Sequence, residues 1–196
     1  MCRLFESIYV RDGQFRNLPL HQARITRSAQ ALFKQPLGWT LDSILIQANI
    51  PKNGLYKVRL VYDQVQAQVE FIPYQVKAVT TLKLVEADFD YAHKYENREA
   101  LNKVFNSREG CDDVIIVQNG FVTDASYANL IFKKNNEWFT PDVCLLEGTM
   151  RTHLLKEQKI SEAIIRVNNL HQYESCKLIN ALVGMDGPEI PIAAIS

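Results

Sequence analysis

The stretch DDVIIVQNGFVTDASYANLIFKKNNEWFTP, residues 112–141, limits the possible folds more than any other part of the chain. It is rich in β-branched and aromatic residues, which suit a pleated, half-buried surface. The pairs Asn119-Gly120 and Asn135-Asn136 interrupt it at hairpin spacing. Such pairs accept the positive φ angles of the tight turns whose twist matches flanking strands. The stretch therefore predicts three or four consecutive antiparallel strands. Within it Asp124 follows a turn and precedes small residues and an apolar run, an unusual setting for a carboxylate.

The flanking sequence adds helices on either side of further strand pairs. RLFESIYVRDGQF reads as a strand, a turn at Asp12-Gly13 and a second short strand. HQARITRSAQALF places Ile25, Ala29, Leu32 and Phe33 on one helical face, with Arg24 and Arg27 elsewhere. TLDSILIQANI predicts a helix capped by Thr40 or Asp42 and stopped near Pro51. GLYKVRLVYD and QAQVEFIPY predict a hairpin. A change of composition over residues 77–90 reads as a linker. Beyond it, YENREALNKVF and GTMRTHLLKEQ predict helices, and EAIIRV and CKLINALVG predict strands. The expected class is α+β, two lobes of mainly antiparallel sheet with flanking helices. Residues 1–80 would form a small N-terminal domain and residues 81–196 a larger C-terminal one.

Composition excludes several functions. The formal net charge is zero and the pI about 6.9, so the basic stripe that nucleic-acid binding needs is missing. No apolar run reaches membrane-spanning length, and MCRLFESIYVRDG lacks the apolar stretch of a signal peptide. A cytoplasmic protein with no membrane or nucleic-acid partner is expected. The four cysteines are scattered without C-x-x-C spacing, and the four histidines lack ligand spacing, so no metal is expected.

Four features carry chemistry when taken together. Lys94 lies just before a helix, after the polar DFDYAH; alone it reads as a solvated side chain. Alone, Asp124 reads as a turn residue that bonds backbone amides, and Arg24 as a helix-surface charge. The helix start GTMR, with Thr149 and Met150, has the unpaired amides and dipole that favour phosphate. Jointly they supply what pyridoxal 5'-phosphate requires. Its aldehyde needs a lysine amine, its ring nitrogen a carboxylate, and its phosphate an arginine and helix-terminal amides.

The order of these segments resembles the class IV aminotransferases, the fold-type-IV pyridoxal-phosphate enzymes that include D-amino-acid and branched-chain aminotransferases and aminodeoxychorismate lyase. FESIYVRDGQFRNLPLHQARITRSAQAL is similar to the family's opening, with a Glu in the first strand and His-x-x-Arg on a helix. KYENREAL resembles the segment of the cofactor lysine, and DDVIIVQNGFVTDASYANLIF the hallmark strand pair. FTPDVCLLEGTMRTHLL resembles the phosphate-binding helix start, and LINALVGMDGPEIPI the closing strand and turn. The resemblance implies a D-amino-acid-aminotransferase-like fold and a catalytic, cofactor-bearing Lys94. It also implies a phosphate-binding Arg24, Thr149 and Met150 that bind phosphate through their amides, and Asp124 where most of the family has glutamate. That carboxylate reaches about 1.5 Å less far than glutamate would.

The implied reaction is aminotransfer between an amino acid and a 2-oxo acid. The alternatives are a carbon–oxygen lyase of the aminodeoxychorismate-lyase kind, or a non-catalytic member that has lost its cofactor. Lys57 and Arg59, two apart on a strand, point to one face and are candidates for a substrate carboxylate. The bland reading is a solvent-facing pair. Tyr95 and Tyr127 are expected to pack rather than to flank the ring. A homodimer is implied, as is the family's loop donated by a partner subunit.

Overall fold

The structure, a computed structural model, describes residues 2–196. The chain divides into two compact units. The first comprises the chain through Gln75 together with His93–Asn97, and the second comprises Val76–Ala92 with Arg98–Ser196.

In the first unit, β1 (Leu4–Arg11), β2 (Gln14–Phe15), β3 (Leu55–Tyr62) and β4 (Ala67–Pro73) form an antiparallel sheet in the order β2-β1-β3-β4. Asp12 and Gly13 make the first turn at φ 50° and 78°. Strand alternation puts Leu4, Ile8 and Val10 of β1 and Val58, Leu60 and Tyr62 of β3 into a core against Ile25 of α1 (Leu18–Phe33). The helix α2 (Leu41–Leu45) is shorter than expected. Thr40 and Ser43 form its capping box. Gln47 and Ala48 then donate to Ile44 and Leu45, three residues back, and the chain tightens out of the helix before Pro51.

The second unit holds β5 (Leu82–Glu86), α3 (Glu99–Asn106), β6 (Asp113–Gln118), β7 (Phe121–Ala125), β8 (Asn129–Lys134), β9 (Glu137–Pro141), α4 (Thr149–Lys156), β10 (Ser161–Ala163), β11 (Ser175–Ile179) and β12 (Ile190–Pro191). Its strands run in the order β10-β9-β8-β7-β6-β5, with β11 joined to β8 and β12 to β11. The predicted meander of three or four strands is present as four, β6–β9. Its Asn119-Gly120 and Asn135-Asn136 turns all have positive φ, between 52° and 76°. The sheet is mainly antiparallel, with parallel pairs β5–β6 and β9–β10.

Two expectations need correction. The segment read as a linker contains β5, which pairs with β6 and is closed on its other side by Ile195 and Ser196. Lys94 does not belong to the second unit as the boundary at residue 80 implied. The Phe5 amide donates to the Lys94 carbonyl and the Glu96 amide to the Arg3 carbonyl, each at 2.9 Å, and Tyr95 bridges to Leu4. These backbone bonds make the lysine segment an extra edge of β1.

Candidate active site

Glu6 stands in the inward phase of β1, between Leu4 and Ile8, and is fully buried. A carboxylate there must be paired. The buried face of α1 supplies the partners, because His21, Arg24 and Ser28 recur at helical spacing beside Ile25 and Ala29. Arg24 is therefore not the surface charge that the apolar pattern suggested. Its Nε donates to Glu6 Oε1 at 2.8 Å and its Nη2 to Oε2 at 2.5 Å, a side-on clamp. His21 Nδ1 lies 2.6 Å from Glu6 Oε2. Burial pushes the Glu6 carboxyl up, but Arg24 and His21 outweigh it and hold the group at about 2. Burial pushes His21 below its ordinary value, against the pull of Glu6, so its neutral ring donates Nδ1–H.

Lys94 joins this group. Its Nζ lies 4.7 Å from the centre of the Phe5 ring, and its charge is one of those that depress His21. Close in sequence, Glu96 accepts from Arg59 Nη2 at 2.9 Å and lies 3.2 Å from Arg3 Nε. Lys57 and Arg59 share the face of β3 opposite Val58 and Leu60, as the alternation predicted. Tyr95 packs on the first core, edge-on to His93 at 5.9 Å. Tyr127 packs on the core of the second unit.

The second unit carries the other half of the candidate set. Asp124 and Asn129 are the cross-strand pair at the mouth of the β7–β8 turn. Asp124 is buried; its Oδ1 accepts from Asn129 Nδ2 at 2.7 Å and its Oδ2 from the Leu146 amide at 2.9 Å. Burial raises its carboxyl to about 6, although these donors and Arg151 pull the other way. The segment that Asp124 grips leads into α4, whose N-cap is Gly148 and whose first residues are Thr149 and Met150. Arg151, in the same first turn, is buried and fastens the helix start to β9 and β10. It donates to Thr140 Oγ1 at 3.2 Å, to the Pro141 carbonyl at 2.8 Å and to Glu162 at 2.7 Å. Sequence reasoning missed the roles of Glu6, His21 and Asn129. The signal for Glu6 was a charge in the apolar phase of a strand.

The sequence model of the class IV amino-transferases matches residues 3–187. The chain belongs to that family. A solved structure from Haemophilus somnus, described as a "putative 4-amino-4-deoxychorismate lyase", is 38% identical, with a TM-score of 0.89 over 94% of this chain and 98% of that one. A protein of Schizosaccharomyces pombe with the name "Putative aminodeoxychorismate lyase" is 30% identical over 91% of this chain and 85% of its own. The pyridoxal-phosphate-bound form of a hypothetical aminotransferase from Mycobacterium tuberculosis shares the fold, with a TM-score of 0.79 at 16% identity over 96% of this chain and 80% of that one. Class IV enzymes are pyridoxal-phosphate-dependent aminotransferases and lyases. The described residues include the donor types that the cofactor calls for: a lysine amine in the first unit, and in the second a buried carboxylate and a helix start fastened by a buried arginine. Among the described residues no helix is long and apolar enough to cross a membrane, and no cluster of His, Cys, Asp or Glu could hold a metal ion.

Proposed function

We propose that the protein is a pyridoxal-phosphate enzyme that removes a proton beside the amino group of its substrate. The observation that supports this most is the pairing of a buried carboxylate, Asp124, with the segment that opens α4. Lys94 would hold the cofactor aldehyde, Arg24 and the amides of Thr149 and Met150 its phosphate, and Asp124 its ring nitrogen. When bound, the cofactor supplies an aldehyde that joins the substrate amine and a ring that accepts the electron pair left by the departing proton. Lys94 would take that proton at Nζ and return it. Glu6 fixes the Arg24 guanidinium in one orientation, occupying two of its five N–H groups. Asp124, as an anion, would favour a protonated ring nitrogen. Arg59, with Lys57 beside it, would take a substrate carboxylate, and Glu96 orients Arg59 for that contact.

Transamination and elimination diverge after the proton is removed. The two relatives at 30% and 38% identity carry lyase names, which favours elimination of a carbon–oxygen bond. Aminotransfer between an amino acid and a 2-oxo acid is the second reading. The two separate cleanly, because a lyase consumes 4-amino-4-deoxychorismate without an added 2-oxo acid and an aminotransferase needs that second substrate. The protein is further proposed to act as a cytoplasmic homodimer; a monomer by light scattering at micromolar concentration would refute the dimer.

The test of the cofactor reading is Lys94→Ala together with borohydride reduction. The wild-type protein is expected to show a visible band that reduction removes, with the label on the peptide containing Lys94. Label on a different lysine, or a band that survives in Lys94→Ala, would refute the assignment.

A further inference from the structure

Asn129 stands between the two parts of the second unit to which the proposed function gives roles. Its Nδ2 group uses both hydrogens, one on Asp124 Oδ1 at 2.7 Å and one on the Leu146 carbonyl at 2.9 Å. Leu146 in turn donates its amide to Asp124 Oδ2. The three residues thus close a ring of hydrogen bonds in which Leu146 is gripped at both its N–H and its C=O. With both donors so placed, the amide oxygen is fixed on the opposite side. There it faces Gly148, and a Cβ built on Gly148 would lie 1.8 Å from Asn129 Oδ1. The backbone of Gly148 has φ −70° and ψ 140°, extended geometry that any residue adopts. Glycine at this position therefore serves space rather than conformation, and the space is filled by one atom of Asn129.

We infer that Asn129 is a positioning residue that locks the Asp124 carboxylate to Leu146, in the segment that leads into α4, with Gly148 kept bare to admit it. The inference rests on the proposed reading, in which Asp124 serves the cofactor ring and the start of α4 its phosphate. In that reading the ring and phosphate contacts are made by different elements, and their separation must match one rigid ligand. Asn129 sets that separation. Displacing its side chain frees Asp124 Oδ1 and the Leu146 carbonyl together, so that backbone amide bonds such as Leu146 N–H to Asp124 Oδ2 are left to hold carboxylate and segment in a looser register.

The experiment compares Gly148→Ala, Asn129→Ala and the double variant by titrating the cofactor-free proteins with pyridoxal 5'-phosphate. The pH midpoint of the bound visible band is followed in parallel. Gly148→Ala retains every polar group of the chain, and is expected to weaken cofactor binding about tenfold by expelling Asn129. Asn129→Ala is expected to do the same, and both are expected to move the pH midpoint. In the double variant the added methyl group meets no obstacle, so its affinity should equal that of Asn129→Ala alone. Should Asn129→Ala not fold, Asn129→Ser vacates the same space. Independent, multiplying losses would overturn the inference, as would a Gly148→Ala protein with the affinity and pH midpoint of the wild type. A purely structural role would lower the urea midpoint and leave both of those readouts in place, which also overturns it. A wild-type protein that binds no pyridoxal phosphate would instead overturn the proposed function, and this inference with it.

Discussion

Glu6 keeps its charge in a fully buried position because Arg24 spans both of its oxygens and His21 adds a third contact. Removing that charge takes the anionic partner from a buried guanidinium, so Glu6→Gln should cost about 3–5 kcal/mol in urea unfolding at pH 7. Its folded carboxyl is held at about 2, below the unfolded value, so its contribution is complete above about pH 4.5 and is lost as pH falls toward 2. His21, shifted down and neutral in the fold, acts in the same direction, because the unfolded chain takes up its proton first as pH drops through the ordinary histidine range. Asp124 acts with the opposite sign. Its folded carboxyl is raised to about 6, so the ligand-free fold binds a proton more readily than the unfolded chain and loses stability as pH rises from about 4 to 6. That loss is about 3 kcal/mol in full. Asp124→Asn removes the titration, so its stability relative to the wild type should improve by about that amount between pH 4 and pH 7. A pH-independent difference between the two proteins would show that Asp124 does not carry the raised carboxyl.

Among the elements, α4 is tied to the sheet by one buried cation as well as by the packing of Met150 and Leu154. Arg151 is buried, and its donors end on Thr140, on the Pro141 carbonyl and on Glu162, all in or beside β9 and β10. Arg151→Met keeps much of the apolar stem and deletes those bonds. It should lower stability by about 2–4 kcal/mol and loosen the start of α4, seen as faster amide exchange at residues 149–152. The elements that the sequence made legible are those with strong local signals. The meander β6–β9 is fixed by Asn-Gly and Asn-Asn turns, and α1 by its apolar spacing. β5 stayed hidden because Lys83 and Glu86 break its apolar pattern, and its pairing with residues 113–117 lies beyond local sequence. The candidate site was legible to the same extent. Asp124 and the start of α4 stand on well-signalled elements. Arg24 was misplaced because a helix-face reading counts only apolar residues, and what buries it is a carboxylate from another element. Asn129 gave no signal, since its role depends on an atom of Gly148 that is absent.

In the whole molecule, the chain leaves the first unit after Gln75, contributes Val76–Ala92 to the second, returns for His93–Asn97 and leaves again. The residues proposed to serve one cofactor are divided accordingly. Lys94 and Arg24 belong to the first unit, whereas Asp124, Thr149 and Met150 belong to the second. The return is held by backbone bonds, Phe5 N–H to the Lys94 carbonyl and Glu96 N–H to the Arg3 carbonyl, and by Glu96 pairing with Arg59 of β3 and with Arg3. Local stability follows such contacts rather than sequence neighbourhood. Hydrogen exchange at increasing urea should therefore show the Glu96 amide opening together with Phe5 and the rest of β1. The amides of α3, which starts at Glu99, should open instead with β6. The change in behaviour is expected to fall between residues 97 and 99, within one short segment. Glu96→Gln weakens the grip on both arginines and should bring its own amide to exchange earlier, leaving β6–β9 as in the wild type. If the Glu96 amide opened with β6–β9 in the wild-type protein, Lys94 would belong to the second unit in energy as well as in sequence order, and the extra-edge role of residues 93–97 on β1 would be refuted.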